Sequence, residues 1–325
     1  MRWPLIFAVL MSSYCCCVYA QYMGSIEHPQ HRLMKFENGL IISWGPPSED
    51  ASTNQVDIFD GQGRPVISLN VLRPVQEAKR VGIYDVSARP GTLIAVAAVY
   101  NSKEGNQRVR PAAMLLLFDF GGRLLSALAL EPWRQISRLA VDDNSNIWTL
   151  TDHADDKDPS TIPMVVEYRA DGTVARELLS RSLFPLHAAS TKENSTIGSP
   201  SMGYDSGGLW FWLPGSTELV TVQAGEETPA MMKTGLPNEP GSQVVPNNVV
   251  RESSGNVVAE VRLDEDNGKK SQLAYYRWSP ATKIWLRFKP APCDGDRLIG
   301  VRVGTNGQVY VRHEAARSDI CESVE

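Results

Sequence analysis

Long helical patterns and long hydrophobic runs are almost missing from this sequence of 325 residues. After residue 20, no segment repeats apolar residues at the i, i+3, i+4, i+7 spacing of an amphipathic helix with caps at its ends. Phosphate-binding glycine loops, G-x-S-x-G elbows and a basic stripe are missing too. The net charge is −5, which disfavours a nucleic-acid partner. These absences argue against helical and nucleotide-binding folds.

The first twenty residues have the pattern of a signal peptide. Arg2 precedes a short apolar stretch from Pro4 to Met11, and Ala20 lies at the predicted cleavage point. The stretch is shorter than the ~20 residues that span a bilayer. An uncleaved anchor and a lipid on one of Cys15–Cys17 are the alternatives. We therefore expect residues 1–20 to be removed and residues 21–325 to form one exported domain, periplasmic or extracellular, with no membrane span.

Cysteine is scarce in the exported part of the chain. The sequence has five cysteines, and only Cys293 and Cys321 follow the predicted cleavage point. Two cysteines in an exported chain favour one disulfide, worth roughly 3 kcal/mol in the chain-entropy account. Their spacing fits no zinc-ligand pattern.

Two kinds of β-hairpin alternate through the chain. The first, an apolar strand, a polar turn and a second apolar strand, occurs at Arg32–Trp44, Ile83–Tyr100, Arg138–Leu150, Met202–Leu213, Asn248–Val261 and Ile299–Arg312. The second, with an aromatic residue near the end of its first strand, occurs at Val56–Leu69, Leu115–Leu128, Val165–Leu178 and Ala274–Phe288, with a blurred copy at Glu218–Met232.

The combined repeat of about 50 residues is typical of β-propeller blades. We predict an all-β, six-bladed β-propeller of four-stranded antiparallel blades. The last copy lacks its outermost strand, and the segment Gln21–His28 would supply it, so that pairing of the N- and C-terminal strands closes the ring. A large β-sandwich or two smaller β domains are the alternatives.

Three segments carry a family resemblance. "LFDFGGRLL", "VEYRADGTV" and "LAVDDNSNIWTL" resemble the blade signature of six-bladed propellers of the NHL/TolB-like type. The resemblance covers nearly the whole exported chain and implies the fold. It does not imply one activity, because that superfamily includes scaffolds, receptors, lyases and lactonases.

The propeller assignment sorts the loops by face. With strands named a to d from the axis outward, the b–c and d–a connections share one face, and the a–b and c–d turns occupy the other. Aspartates in turns such as "DDNSN" and "RADG" are expected to cap those turns, since Asp hydrogen-bonds its own backbone there. The longer b–c and d–a loops are the expected binding face.

Several residues of that face are candidate binding residues. The acidic stretch "DHADDKD" would suit calcium, a cation that prefers oxygen ligands, although its spacing is not that of a calcium loop and a solvated loop is the alternative. Trp and Arg are favoured at binding hot spots, and long loops with aromatic residues are common binding sites. The candidates are Trp133, Arg134, Asp152, His153, Asp155, Asp156, Phe184 and His187.

A further candidate comes from a second resemblance. The segment Val245–Val250, "VPNNVV", resembles the "PNG" segment of metal-dependent lactonases with this architecture, and Asn247 matches its asparagine. That resemblance implies a partner Glu and Asp, but neither "MKF" nor "GYD" offers a convincing one. Asp205 is expected in a turn on the opposite face.

The sequence therefore predicts an exported binding or protein-interaction module that uses its loop face, with no assembled catalytic group. Its partner would be a protein or a small molecule. The alternative is a metal-dependent hydrolase or lactonase with its ion in the central funnel, near Asn247 and His187. A structural subunit of a larger envelope assembly is a third hypothesis. No cofactor is firmly implied, and a divalent metal such as calcium is the one considered.

Overall fold

The computed structural model describes most of the chain after residue 20. The described residues are 21–27, 33–45, 54–71, 80–101, 112–130, 135–153, 163–180, 200–206, 208–213, 217–223, 226, 228–252, 254–265, 270–288, 298–303, 308–313 and 317–322. For residues 21–27, 298–303, 308–313 and 317–322 the description covers the backbone.

Five four-stranded antiparallel blades are each built from consecutive strands. Blade 1 consists of β2 (Leu33–Glu37), β3 (Leu40–Trp44), β4 (Gln55–Asp60) and β5 (Pro65–Asn70). Blade 2 consists of β6 (Arg80–Ala88), β7 (Ile94–Asn101), β8 (Ala112–Phe118) and β9 (Leu124–Ala129). Blade 3 consists of β10 (Gln135–Val141), β11 (Ile147–His153), β12 (Pro163–Tyr168) and β13 (Val174–Ser180). Blade 4 consists of β14 (Ser201–Asp205), β15 (Gly208–Leu213), β16 (Glu218–Val222) and β17 (Ala230–Lys233). Blade 5 consists of β18 (Gln243–Arg251), β19 (Val257–Glu265), β20 (Lys270–Trp278) and β21 (Trp285–Phe288).

A further four-stranded sheet joins the two ends of the chain. It contains β22 (Leu298–Val303), β23 (Gln308–His313) and β24 (Arg317–Glu322), and its outer strand is β1 (Gln21–Glu27). β1 runs antiparallel to β24, with Ser25 opposite Asp319. The predicted pairing of the N-terminal segment with the last strand is therefore present.

The first strand of each blade lies next to the first strand of the following blade. β2 contacts β6, β6 contacts β10, β10 contacts β14 and β14 contacts β18, while β22 contacts β2 and β19. Sheets that pack side by side through their first strands are the arrangement of a β-propeller. The predicted all-β propeller with four-stranded antiparallel blades is confirmed, and the β-sandwich alternative is wrong because these sheets do not form two stacked layers.

The core lies between neighbouring blades, because each blade is apolar on both faces. Ile42 and Ile58 of blade 1 pack with Ile94 of blade 2 and are fully buried. Trp148, Trp210 and Trp212 are at most 2% exposed and belong to the inter-blade clusters on both sides of blade 4. These three tryptophans of the strands are therefore core residues.

The turns follow the predicted chemistry. Asn38 and Gly39 both have positive φ (52° and 74°), as a two-residue hairpin turn requires. Asp142 of "DDNSN" accepts hydrogen bonds from the backbone N–H groups of Asn144 and Asn146, each at 2.8 Å. The same Asp-to-backbone pattern recurs in the c–d turns, where Asp119 accepts from Gly121 and Arg123. The aspartates of the turns are therefore structural caps.

Candidate functional site

The first strands of all five blades line one cavity on the propeller axis. Its volume is about 250 Å³, just below the ~300–1,000 Å³ range of small-molecule pockets. Five aromatic side chains border it, contributed by β2, β3, β6, β14 and β15: Phe36, Trp44, Tyr84, Tyr204 and Trp210. The cavity thus combines a largely aromatic wall with the polar and charged groups described next.

β-Bulges in three of the lining strands add an extra residue to each. The register shifts between Ile83 and Asp85 in β6, between Ile136 and Arg138 in β10, and between Pro246 and Asn248 in β18. A bulge bends its strand and re-aims a side chain, and bulges are enriched near functional sites. Two of the resulting extra residues, Tyr84 and Asn247, border the cavity.

Lys35, Glu37 and Asp85 form a charged cluster that connects three blades. The Lys35 ammonium donates to the Asp85 carboxylate at 3.3 Å and to the Leu139 carbonyl at 2.8 Å. The Leu139 N–H donates to the same Asp85 oxygen at 2.7 Å. Lys35 also lies 3.5 Å from the Glu37 carboxylate. One lysine therefore neutralises part of the charge of two carboxylates, one at the inner edge of blade 1 and one at the inner edge of blade 2.

Glu37 is the least satisfied member of this cluster. Its side chain is 3% exposed, and neither of its carboxylate oxygens accepts a hydrogen bond from the described residues. Burial raises the pKa of Glu37 from 4.5 to about 6; the charge of Lys35 lowers it, and the charge of Asp85 raises it further. The carboxyl group therefore changes its charge near pH 6.

Arg138 is the other cation of the cavity wall. It is half-buried in β10, and its Nη1 donates to the carbonyl of the adjacent Ser137 at 2.6 Å. Among the described residues, no carboxylate lies within salt-bridge distance of its guanidinium, whereas Arg176 and Arg251 pair with Glu167 and Asp205 at 2.7 Å.

Two residues that border the cavity carry buried donors without a partner among the described residues. The indole N–H groups of Trp44 and Trp210 are buried and have no acceptor within the part of the chain that the structure describes. Trp210 can lie close to the axis because Gly203 has no side chain: a Cβ added there would be 2.7 Å from Cζ2 of the indole. A glycine in β14 is thus needed for the shape of the cavity wall.

Arg89 bridges three blades where the a–b turns converge. Its guanidinium donates to the Asn38 side chain at 3.3 Å, pairs with Asp143, and lies 5.5 Å from the centre of the Tyr204 ring. These residues come from blades 1, 3 and 4, and Tyr204 also borders the cavity. Arg89 therefore connects blades 1, 3 and 4 at this end of the axis. The other end, where the exposed Leu33 begins β2, is the side of the b–c and d–a connections.

Of the residues predicted from the sequence, Asn247 lies in the site. It is exposed and borders the cavity. Asp152 and His153 are the last residues of β11, described through their backbone. The other predicted binding residues lie outside the described residues: Trp133, Arg134, Asp155, Asp156, Phe184 and His187. Cys293 is also outside them, so the predicted disulfide with Cys321 is not tested.

Sequence reasoning missed Lys35, Glu37, Asp85 and Arg138 as site residues. All four lie on first strands of blades, inside the otherwise apolar segments "LMKFE", "IYDV" and "SRLAV". A charged residue within a buried strand, repeated in successive blades, was the available signal. The lactonase resemblance implies a glutamate near "MKF". Glu37 follows this segment directly, but the group beside its carboxylate is the ammonium of Lys35.

Two features are absent from the part of the chain that the structure describes. No group of three or more His, Cys, Asp or Glu side chains there is arranged to hold a metal ion. None of the described segments is a helix with the length and hydropathy needed to cross a bilayer.

Comparison with known proteins gives distant structural likenesses. The sequence matches no protein-family model and no curated protein sequence. The fold is similar to streptogramin B lyase, at 10% identity over 92% of this chain and 98% of that chain, with a TM-score of 0.44. YCF48 from Cyanidioschyzon merolae is similar at 10% identity over 92% and 98%, with a TM-score of 0.47. A protein of unknown function from Bacteroides caccae is similar at 10% identity over 80% and 83%, with a TM-score of 0.45. At these values the likenesses carry no argument about function, and the propeller assignment rests on the strand pairing.

Proposed function

We propose that the protein is a binding module whose ligand occupies the axial cavity. The observation that carries the proposal is the convergence of the first strands of five blades on one cavity whose lining combines aromatic residues with polar and charged ones such as Arg138 and Asn247. Concave, mostly apolar sites with a few polar groups are the usual form of ligand pockets. The ligand would enter from the side of the b–c and d–a connections, because Arg89 joins the turns at the other end.

A blocked cavity tests this proposal. The probe is N-phenyl-1-naphthylamine, a neutral dye that fluoresces in apolar surroundings. Asn247→Trp places a large side chain at an exposed position on the cavity wall, and Gln272→Trp, at an exposed position of the same blade, is the matched control. We expect saturable one-to-one dye binding by the parent protein and the control and at least tenfold weaker binding by Asn247→Trp. Equal binding by all three, or no saturable binding by the parent, would contradict the proposal.

Metal-dependent hydrolysis is the less favoured candidate. Lys35 lies within 3.5 Å of both Glu37 and Asp85 and so takes the position between the two carboxylates that a metal ion would need. The candidate depends on residues 152–158 and His187, and calcium or zinc binding by the whole chain remains its test. A rise in the melting temperature on addition of one ion, lost in Asp155→Asn and Asp156→Asn, would favour it.

The sheet that contains both ends of the chain is proposed to be the sixth blade of a closed ring of the NHL/TolB-like type. Contacts of β22 with β2 on one side and β19 on the other support this arrangement. A cysteine pair at Ser25 and Asp319, opposite each other in β1 and β24, tests it. Directly opposite positions in antiparallel strands are close enough for a disulfide. Oxidation should form the intramolecular cross-link and raise the melting temperature; failure to form it would exclude this closure.

Export is proposed as well. The support is the pattern of residues 1–20. The mass of the protein recovered from a secreting host tests it: a chain that starts at Gln21 is expected, and a chain that retains Met1 would exclude cleavage.

A further inference from the structure

Several polar groups of the residues that border the axial cavity lack a partner. Among the described residues, Arg138 has no carboxylate partner, and the buried indole N–H groups of Trp44 and Trp210 have no acceptor. The unsatisfied acceptor is Glu37, which has the ammonium of Lys35 at 3.5 Å. The indole nitrogens and the Glu37 oxygens are buried from solvent, whereas Arg138 is half-buried, so of these groups its guanidinium is the one that a ligand in the cavity can reach.

The charges of the cavity wall favour a ligand that carries a negative charge. Lys35 lies within 3.5 Å of both carboxylates of the cluster, whereas no carboxylate of the described residues lies within salt-bridge distance of the Arg138 guanidinium. Partly buried arginines usually pair with a carboxylate or phosphate, because the planar guanidinium offers several donors in a fixed fork. Three other partly buried arginines named above, Arg89, Arg176 and Arg251, do so within the chain.

From this juxtaposition we propose that the cavity binds a small organic anion, with a carboxylate or phosphate at Arg138 and an apolar body against the aromatic wall. Tyr84 and Phe36, which border the same cavity, are among the apolar contacts. The cavity of about 250 Å³ limits the ligand to a small molecule. The inference rests on the proposed binding function and specifies the chemistry of its ligand.

Displacement of the neutral dye N-phenyl-1-naphthylamine tests the charge preference. Four competitors share one ring and differ in charge: benzoate, phenyl phosphate, benzamide and benzylamine. We expect benzoate or phenyl phosphate to displace the dye at concentrations at least tenfold below those of benzamide, since a hydrogen bond to a charged group is worth that factor or more. The better of the two anions distinguishes a carboxylate ligand from a phosphate ligand.

Arg138 variants assign the preference to one side chain. Arg138→Met should abolish the advantage of the anions, and Arg138→Lys should keep part of it because the charge remains without the fork. Arg123→Met is the matched control, since Arg123 is an exposed arginine of a c–d turn, far from the cavity lining. Thermal melts of each variant show whether it is folded. If Arg138→Met fails to fold, the anion advantage of Arg138→Lys, compared with that of the parent protein, tests the role of Arg138.

The outcomes separate the two proposals. If the dye binds and Asn247→Trp blocks it, but benzamide or benzylamine competes as well as the anions, the anion inference is wrong and the binding function stands. An anion preference that Arg138→Met leaves unchanged also overturns the inference. If the dye does not bind to the parent protein, the binding function itself fails.

Discussion

Replacing Glu37 by glutamine removes a carboxyl group that is almost fully buried at the inner edge of blade 1. Its pKa is raised from 4.5 to about 6, chiefly because burial disfavours the charged form. A shift of about 1.5 units corresponds to about 2 kcal/mol of differential stability between the two protonation states. Glutamine has a similar shape and stays neutral, so the variant lacks this dependence on pH.

The direction in which stability changes with pH follows from proton binding. Between pH 4.5 and 6 the folded protein holds the Glu37 proton more tightly than the unfolded chain does, so the group stabilises the fold below pH 4.5 and this stabilisation is lost as the pH rises through about 6. We therefore expect the Glu37→Gln variant to gain stability relative to the parent as the pH rises. About 1 kcal/mol of the total gain should fall between pH 5 and pH 8.

Urea unfolding at several pH values between 5 and 8 measures the effect. The difference between variant and parent cancels the titration of the groups they share, and Glu226→Gln, at an exposed position, controls for the loss of one negative charge. A difference that does not change with pH, or a variant that loses stability relative to the parent as the pH rises, would refute the account of Glu37.

Three other changes test the packing around the axis and the exported state. Asp85→Ala removes the acceptor that the Lys35 ammonium of blade 1 and the Leu139 N–H of blade 3 share. It should lower the free energy of unfolding in urea by about 3–5 kcal/mol, and a loss below about 1 kcal/mol would contradict this role. Gly203→Ala places a Cβ 2.7 Å from the Trp210 ring, so it should destabilise by about 1–3 kcal/mol and change the tryptophan emission, whereas an unaltered spectrum would contradict the contact. Thiol labelling of the mature, unreduced protein should find neither Cys293 nor Cys321 free, and two labelled thiols would exclude their disulfide.

The sequence alone determined the strands, the turns and their repetition. Alternating apolar residues and the turn residues Asn38, Gly39 and Asp142 act over a few positions, so the hairpins can be predicted without knowledge of the neighbouring blades. The strict alternation of two hairpin types then predicts the four-stranded blade. The N-terminal strand could be placed beside β24 because the last repeat lacked its outer strand.

The cavity and its chemistry were decided by the tertiary structure. Lys35, Asp85 and Arg138 are separated by about 50 residues each, one repeat apart, and they meet because the first strands of successive blades pack around one axis. The bulge that brings Asn247 to the cavity wall is a local change in register that the repeat pattern does not reveal. Burial of Glu37 likewise depends on blade 2 packing against blade 1, and burial is the physical cause of its raised pKa.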